Sequence, residues 1–368
     1  MKLKLLLFFA RADWILVVTM FLLVGVGLVA VWSFSMERSG LFGRQLLWAA
    51  LGLAAFFGFS LVDYRIFKNH GFFLIALYFL MIVALGALLL FAPVTRGIRA
   101  WFQIGSAGIQ PVEPMKLVLA LLLAKYFSRR HVEIARLRHL IVSGIYTGVA
   151  ILLVLLQPDL GSALILSVIW LGVVSFSGIT WRHLALFFFL MAVTLGIAWF
   201  SLLAPYQKAR ITAFLDPYRD PRGAGYNTIQ AMVAAGSGRL WGKGIGYGTQ
   251  SHLNFLPEAE TDFIFAAFTE ETGFIGATLL LGLFGVLFSR VIRIGIAAYD
   301  NFSKLFVLGF VSFLFAGVAI HVGMNLGLLP VTGIGLPLVS YGGSNLVTSL
   351  AGLGIIQSIR IHSRAEIG

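Results

Sequence analysis

Apolar runs of about 20 residues alternate with short polar connections along nearly the whole chain, and runs of that length suffice to cross a bilayer as helices. The pattern predicts spans at 14–34, 45–61, 71–91, 112–127, 139–156, 160–177, 183–204, 264–289, 304–326 and 344–359. It lacks the ten-residue segments of alternating polarity that mark a transmembrane barrel. The expected fold class is therefore all-α and polytopic, a single integral membrane domain over 1–368 with about ten transmembrane helices. The first run follows Lys2, Lys4 and Arg11. It exceeds the usual core of a signal peptide and no small-x-small cleavage site follows it, so it reads as the first span.

Two segments break the rhythm. The long connection at about 205–261 is expected to be ordered on the membrane face, because loops of this length in a compact domain are usually functional or disordered. It carries the Gly-rich stretch from Gly236 to Gly248, and Ala231 to Ala235 are expected in a short surface helix. The second segment, about 327–343, is too apolar for a solvated loop and too rich in Gly and Pro for a continuous helix. Irregular backbone at membrane depth survives only where protein or a wet cavity satisfies it, so this stretch reads as re-entrant; a tight packed connector is the alternative.

Composition supports the membrane reading: 59% of residues are hydrophobic, 11% are charged, and the mean hydropathy is +0.95. The net charge of +12 would suit nucleic acid, but the basic residues sit in short connections between apolar runs. With the N-terminus placed in the cytoplasm, Arg65, Lys68, Lys125, Arg129, Arg130, Arg136, Arg138, Arg182, Arg290, Arg293, Lys304, Arg360 and Arg364 fall inside. Only Arg38, Arg44, Arg96 and Arg99 fall in short outer connections. That asymmetry sets topology and gives no reason to expect a nucleic-acid partner. Both termini are then cytoplasmic, and both irregular segments face outward. The chain has no cysteine, which removes disulfides, thiolate metal sites and a Cys nucleophile.

Candidate chemistry follows from carboxylates placed where they are costly. Glu258, Glu260, Asp262, Glu270 and Glu271 crowd the border between the long connection and the eighth span. With a helix starting near Asp262, Glu270 lies roughly 12 Å along the axis, too far for the paired carboxyls of a glycoside hydrolase. A lone carboxylate suits a reaction whose leaving group is a diphosphate, since one base plus cationic stabilisation is sufficient. The outer segments offer Arg99, Lys208, Arg210, Arg239 and Lys243. An N-cap role for Asp262 stays equally open. Glu113 and Lys116 share a helical face three residues apart, either as a structural ion pair or as a charged wall touching a ligand. Asp159, after Pro158, is either the N-cap of the sixth span or a ligand contact, and His321 is expected to be a hydrogen-bonded core histidine. The Gly-rich stretch lacks a phosphate-loop fingerprint, because Ser stands at 237 and Gly244 follows Lys243. Its backbone remains a possible anion nest for a lipid diphosphate. No histidine spacing indicates a protein-built metal site.

Several of these stretches carry a resemblance. Ile109-Gln110-Pro111-Val112-Glu113-Pro114-Met115-Lys116, Gln157-Pro158-Asp159-Leu160-Gly161, Glu260-Thr261-Asp262-Phe263, Glu270-Glu271-Thr272-Gly273 and Leu336-Pro337-Leu338-Val339-Ser340-Tyr341-Gly342-Gly343-Ser344 occur in the order seen in the SEDS family of bacterial cell-wall proteins. The chain resembles that family over nearly its full length, and its short tails resemble the elongation branch more than the division branch. The resemblance implies a peptidoglycan glycosyltransferase that polymerises lipid II at the outer face of the cytoplasmic membrane, with Asp262 as the essential catalytic residue. The substrate-binding residues expected for such a reaction are the cations Arg210, Lys243, Arg99 and Lys116, together with Glu113, Asp159, Thr249 and Ser340. The resemblance further implies a divalent cation, magnesium or manganese, and no organic cofactor. Implied partners are a class B penicillin-binding protein, other proteins of the elongation complex and membrane lipids. A lipid II flippase and a non-catalytic scaffold for the transpeptidase are the alternatives.

Overall fold

The computed structural model describes residues 8–35, 40–93, 99–104, 107–128, 137–177, 182, 185, 196, 212, 214–223, 225–253 and 255–363. Helix α1 (Trp14–Ser35) is followed by α2 (Leu41–Leu61), the short α3 (Arg65–Asn69) and α4 (Gly71–Phe91). A small antiparallel hairpin of β1 (Phe102–Ile104) and β2 (Ala107–Ile109), absent from the sequence reading, precedes α5 (Val112–Ser128). Next come α6 (Leu137–Leu156) and α7 (Leu160–Phe176), then α8 (Tyr226–Ser237) and the single turn α9 (Thr249–His252) of the long connection. The chain closes with α10 (Ile264–Ala297), α11 (Asn301–Asn325) and α12 (Gly343–Ser363). Every predicted span that falls on described residues is a helix; the seventh, 183–204, lies outside them apart from residues 185 and 196.

Burial sorts these helices into an inside and an outside. On α5 and α12 nearly every residue is buried, and α11 buries Phe302, Phe306, Phe310 and Phe313 along one side. On α2 and α4, by contrast, Leu46, Leu47, Phe72, Phe79, Leu90 and Phe91 are exposed, as helices require when hydrocarbon covers them. Without a strong hydrophobic drive between helices in lipid, association relies on close backbone approach at small residues. Gly354 on α12 shows this, since a Cβ there would stand 2.5 Å from the Phe56 carbonyl oxygen of α2. Between α11 and α12, residues 327–342 form no helix, yet Leu336, Leu338, Val339 and Ser340 are buried within the bundle.

The two ends of the bundle differ. At one end, Tyr64 Oη donates to Asp300 Oδ2 at 2.7 Å, Asp300 caps α11 by accepting from the Ser303 amide, and Lys68 lies 3.8 Å from its other oxygen. Burial alone would push the Asp300 carboxyl up. The donors from Tyr64 and Ser303, with the Lys68 charge, outweigh burial and hold it below the ordinary aspartate range. Burial and the Asp300 bond push the Tyr64 phenol up to about 12. A carboxyl depressed in the folded state stabilises above its unfolded pKa of about 4, and that contribution disappears as pH falls through the folded value. Asp300→Asn is therefore expected to cost about 1–2 kcal/mol at pH 7, and the gap between variant and parent in thermal unfolding should close at a pH low enough to protonate the Asp300 carboxyl in the folded chain. An equal gap at both pH values would contradict this reading. The other end carries the long connection and the buried irregular segment.

Candidate active site

The chain reaches α10 through a tight turn. Glu258 adopts φ +55°, and its carbonyl oxygen accepts the amides of Thr261, Asp262 and Phe263 at 3.1, 3.1 and 3.2 Å. Helix α10 then starts without a cap from its own side chains. A helix start leaves donors without intrahelical acceptors, and here α11 provides them. The Phe265 amide donates to His321 Nε2 at 3.4 Å, and the Ala266 amide donates to Asn325 Oδ1 at 2.9 Å. Asn325 Nδ2 in turn donates to the carbonyl oxygens of Asp262 at 3.0 Å and His321 at 2.8 Å. The N-cap alternative for Asp262 is thereby answered, because the N2 and N3 amides go to another helix.

The irregular segment lies against this start. Gly333 adopts φ +74°, and a Cβ on it would be 3.7 Å from Asp262 Oδ2. His321 Nδ1 donates to the Ile334 carbonyl at 2.7 Å. Ser340 Oγ donates to the Thr261 carbonyl and accepts the Leu336 amide, both at 2.7 Å, while the Tyr341 amide donates to Glu260 O. The Ser340 hydroxyl thus bonds backbone on both sides of the junction. Gln45 of α2 holds the same stretch through Ser340 O and the Gly342 amide. Asp262, half-buried, stands where α10, α11 and this strap meet.

Behind the strap lies a second polar group. A Cβ on Gly161 would be 2.9 Å from Thr332 O, so α7 begins directly against the strap. Asp159 caps α7 through the Ser162 amide at 2.9 Å and accepts from Gln110 Nε2 at 3.5 Å. On α5, Lys116 Nζ donates to Glu113 Oε1 at 2.7 Å and stacks over Phe313, while Asn345 Nδ2 donates to Glu113 Oε2 at 3.2 Å. The Lys116 side chain is 1% exposed and that of Glu113 6%, so in this conformation the pair balances its own charge inside the bundle.

The third group organises the outer connection. Within α10, Gly273 takes φ +72°, ψ −171°, which breaks the helix and frees backbone groups on both sides. The connection occupies them: Lys243 N and Gly244 N donate to the carbonyls of Glu270 and Glu271, and the amides of Phe274 and Ile275 donate to the carbonyls of Arg239 and Leu240. A Cβ at Gly273 would stand 2.4 Å from Gly242 N, so the crossing depends on glycine. Glu270, fully buried, accepts from Lys243 Nζ at 2.7 Å, Thr249 Oγ1 at 3.2 Å, the Gln250 and Ser251 amides, and the Ser251 hydroxyl. Glu271 accepts from Ser33 Oγ at 2.6 Å and the Gly246 amide at 3.1 Å, with His252 Nε2 at 3.0 Å. From the Gly-rich stretch, the Lys243 ammonium reaches the Glu270 carboxylate and the Gly246 amide that of Glu271, while the backbone amides on Glu270 come from Gln250 and Ser251 just beyond it. The sequence reading gives neither glutamate a partner; the readable signal is a glycine directly after Glu-Glu-Thr.

Of the cations expected near a diphosphate, Arg210 lies outside the described residues. Arg99 Nη1 donates to the Leu89 carbonyl at the end of α4. Lys243 and Thr249 engage Glu270, and Lys116 engages Glu113. Among the described residues no three His, Cys, Asp or Glu side chains converge as a metal ion would require.

Against known proteins, the family model for cell cycle proteins of the FtsW/RodA/SpoVE type matches residues 13–365. The chain is 37% identical over 349 residues to peptidoglycan glycosyltransferase MrdB of Escherichia coli K12, covering 95% of this chain and 93% of that protein. It is also 37% identical over 368 residues to stage V sporulation protein E of Bacillus subtilis 168, covering 96% and 98%. Among solved structures, a chain from work on polymerization and crosslinking by a peptidoglycan synthase complex superimposes with a TM-score of 0.81 at 34% identity, covering 95% of this chain and 97% of that one. Rod shape determining protein RodA of Thermus thermophilus gives 0.72 at 31% identity, covering 96% and 97%.

Proposed function

The chain belongs to the FtsW/RodA/SpoVE family, and on that premise we propose that it is a multi-pass membrane peptidoglycan glycosyltransferase that polymerises lipid II, with Asp262 as its base. The observation that carries the assignment of the base is the carboxylate at the junction of α10, α11 and the strap, beside a helix start capped by other residues. Asp262 takes the proton from the 4-hydroxyl of the GlcNAc of one lipid-linked glycan. That oxygen forms its bond to the anomeric carbon of MurNAc on the other, from the face opposite the diphosphate. The bond from that carbon to the diphosphate oxygen breaks, undecaprenyl diphosphate leaves with the electron pair, and the anomeric centre inverts. A diphosphate leaves without being protonated, so no acid partner is needed. A divalent ion travelling with the diphosphate would add charge stabilisation. The steps assigned to this chain use its own groups.

The outer face is the proposed side of reaction. Arg65, Lys68, Arg290, Arg293, Lys304 and Arg360 belong to the end of the bundle opposite Asp262, as expected of the cytoplasmic end. Lipid-facing helix surfaces leave room for the isoprenoid chains. The partner we propose is a class B penicillin-binding protein, a reading supported by the likeness to a chain of a complex that couples polymerization to crosslinking. Purified protein in vesicles is expected to convert labelled lipid II into glycan strands resolved by electrophoresis. Transbilayer movement of lipid II without polymer would overturn the enzyme in favour of a flippase.

A further inference from the structure

We propose that His321 and Asn325 are positioning residues for the reaction, acting by keeping the start of α10 from recruiting Asp262 as its cap. This rests on Asp262 being the base. The two residues lie one turn apart on α11, on one face, and both are fully buried. Between them they hold four backbone groups: the carbonyls of Asp262 and Ile334 and the amides of Phe265 and Ala266.

Competition for those amides makes the arrangement more than packing. Residue Asp262 stands one position before the N-cap Phe263; were α10 to start one residue earlier, Asp262 would be the cap, and aspartate is among the side chains that best accept the N2 and N3 amides, then those of Ile264 and Phe265. A carboxylate bound there would point along the helix, lose basicity and turn away from Gly333. His321 Nε2 occupies the Phe265 amide, and Asn325 Oδ1 takes the Ala266 amide next to it, which holds the helix start at Ile264 with Phe263 in the cap position. Asn325 Nδ2 pins the Asp262 carbonyl, fixing the backbone from which the carboxylate projects.

His321 extends the same control to the strap. Its Nδ1 faces a carbonyl and its Nε2 faces an amide N–H, a pairing that only the neutral Nδ1–H tautomer satisfies. One ring therefore sets the spacing between the Asp262 segment and Ile334, the neighbour of the glycine that faces the carboxylate. Small displacements of a positioned base carry large rate costs.

The test uses full-length protein with labelled lipid II and compares Asn325→Leu, His321→Leu and His321→Gln with the parent and with Asp262→Ala. The leucine variants are expected to lose about 10–100-fold in kcat with KM changed less than about threefold. The acid limb of their kcat–pH profile should move down by about half a unit or more, because the released amides lower the Asp262 pKa. His321→Gln, which keeps a donor and an acceptor within reach, should recover most of the rate. Loss of rate with an unmoved acid limb, or parental kcat in both leucine variants, would overturn the proposal. If Asp262→Ala itself polymerises at the parental rate, the assignment of the base fails, which is a separate result.

Discussion

Asp262→Ala is expected to lower the rate of lipid II polymerisation by about 10²–10⁴-fold, the range over which a positioned general base contributes. Asp262→Asn should fall equally far, because the amide keeps size and polarity but takes no proton. Neither change should unfold the chain: the backbone of residue 262 is held by Asn325 and Glu258, and the first amides of α10 are accepted by His321 and Asn325. Binding of lipid II should stay within about threefold of the parent, since removing a group that acts only in the transition state lowers kcat and not affinity. The check is an initial-rate measurement beside a binding measurement on the same preparation. An asparagine variant within threefold of the parental rate would remove Asp262 from the chemistry.

Lys243→Ala is expected to be the most damaging change in the outer connection. It leaves the Glu270 charge, fully buried, without its only ion-pair partner among the described residues. Removing one partner of a buried pair typically costs about 3–5 kcal/mol, and the neutral donors from Thr249, Gln250 and Ser251 should hold this case near the lower figure. Lys243→Ala with Glu270→Gln should be less damaging than the two single losses added together, because the stranded charge is gone. Hydrogen exchange across residues 238–252, with the melting temperature, reads the effect. If Lys243 instead serves chiefly to hold the diphosphate, the alanine variant will raise KM while exchange in the connection stays parental.

The architecture was legible because each span is a long apolar run closed by charge, Pro or Gly, and residue-level hydropathy needs no tertiary knowledge to register. The hairpin of β1 and β2 was not, since three-residue strands generate too little alternation to be read. The Glu-Glu-Thr before Gly273 marks the place of the break but not its purpose, as glycine is common in spanning helices and only the crossing backbone of Gly242 shows what it is for. Asp159 illustrates a reading left open that geometry sharpens: it caps α7 and also accepts from Gln110, so capping and polar contact coexist. The spacing of Glu270 from Asp262 sets the two carboxylates about two helical turns apart. It could not reveal that Lys243 and Thr249 belong with the former, because that pairing depends on a loop folding back across a helix break.

That fold-back also sets an order of assembly. Residues 238–251 meet residues 269–275 within a stretch of some thirty residues, so the platform beneath Asp262 closes early as the chain emerges, at small loop-closure cost. His321, Asn325 and the strap follow more than fifty residues after Asp262. A nascent chain arrested before α11 would carry the carboxylate on a finished platform without the partners that aim it. Competence for glycan synthesis would thus arrive only with the last two helices, a safeguard against half-inserted molecules acting on lipid II.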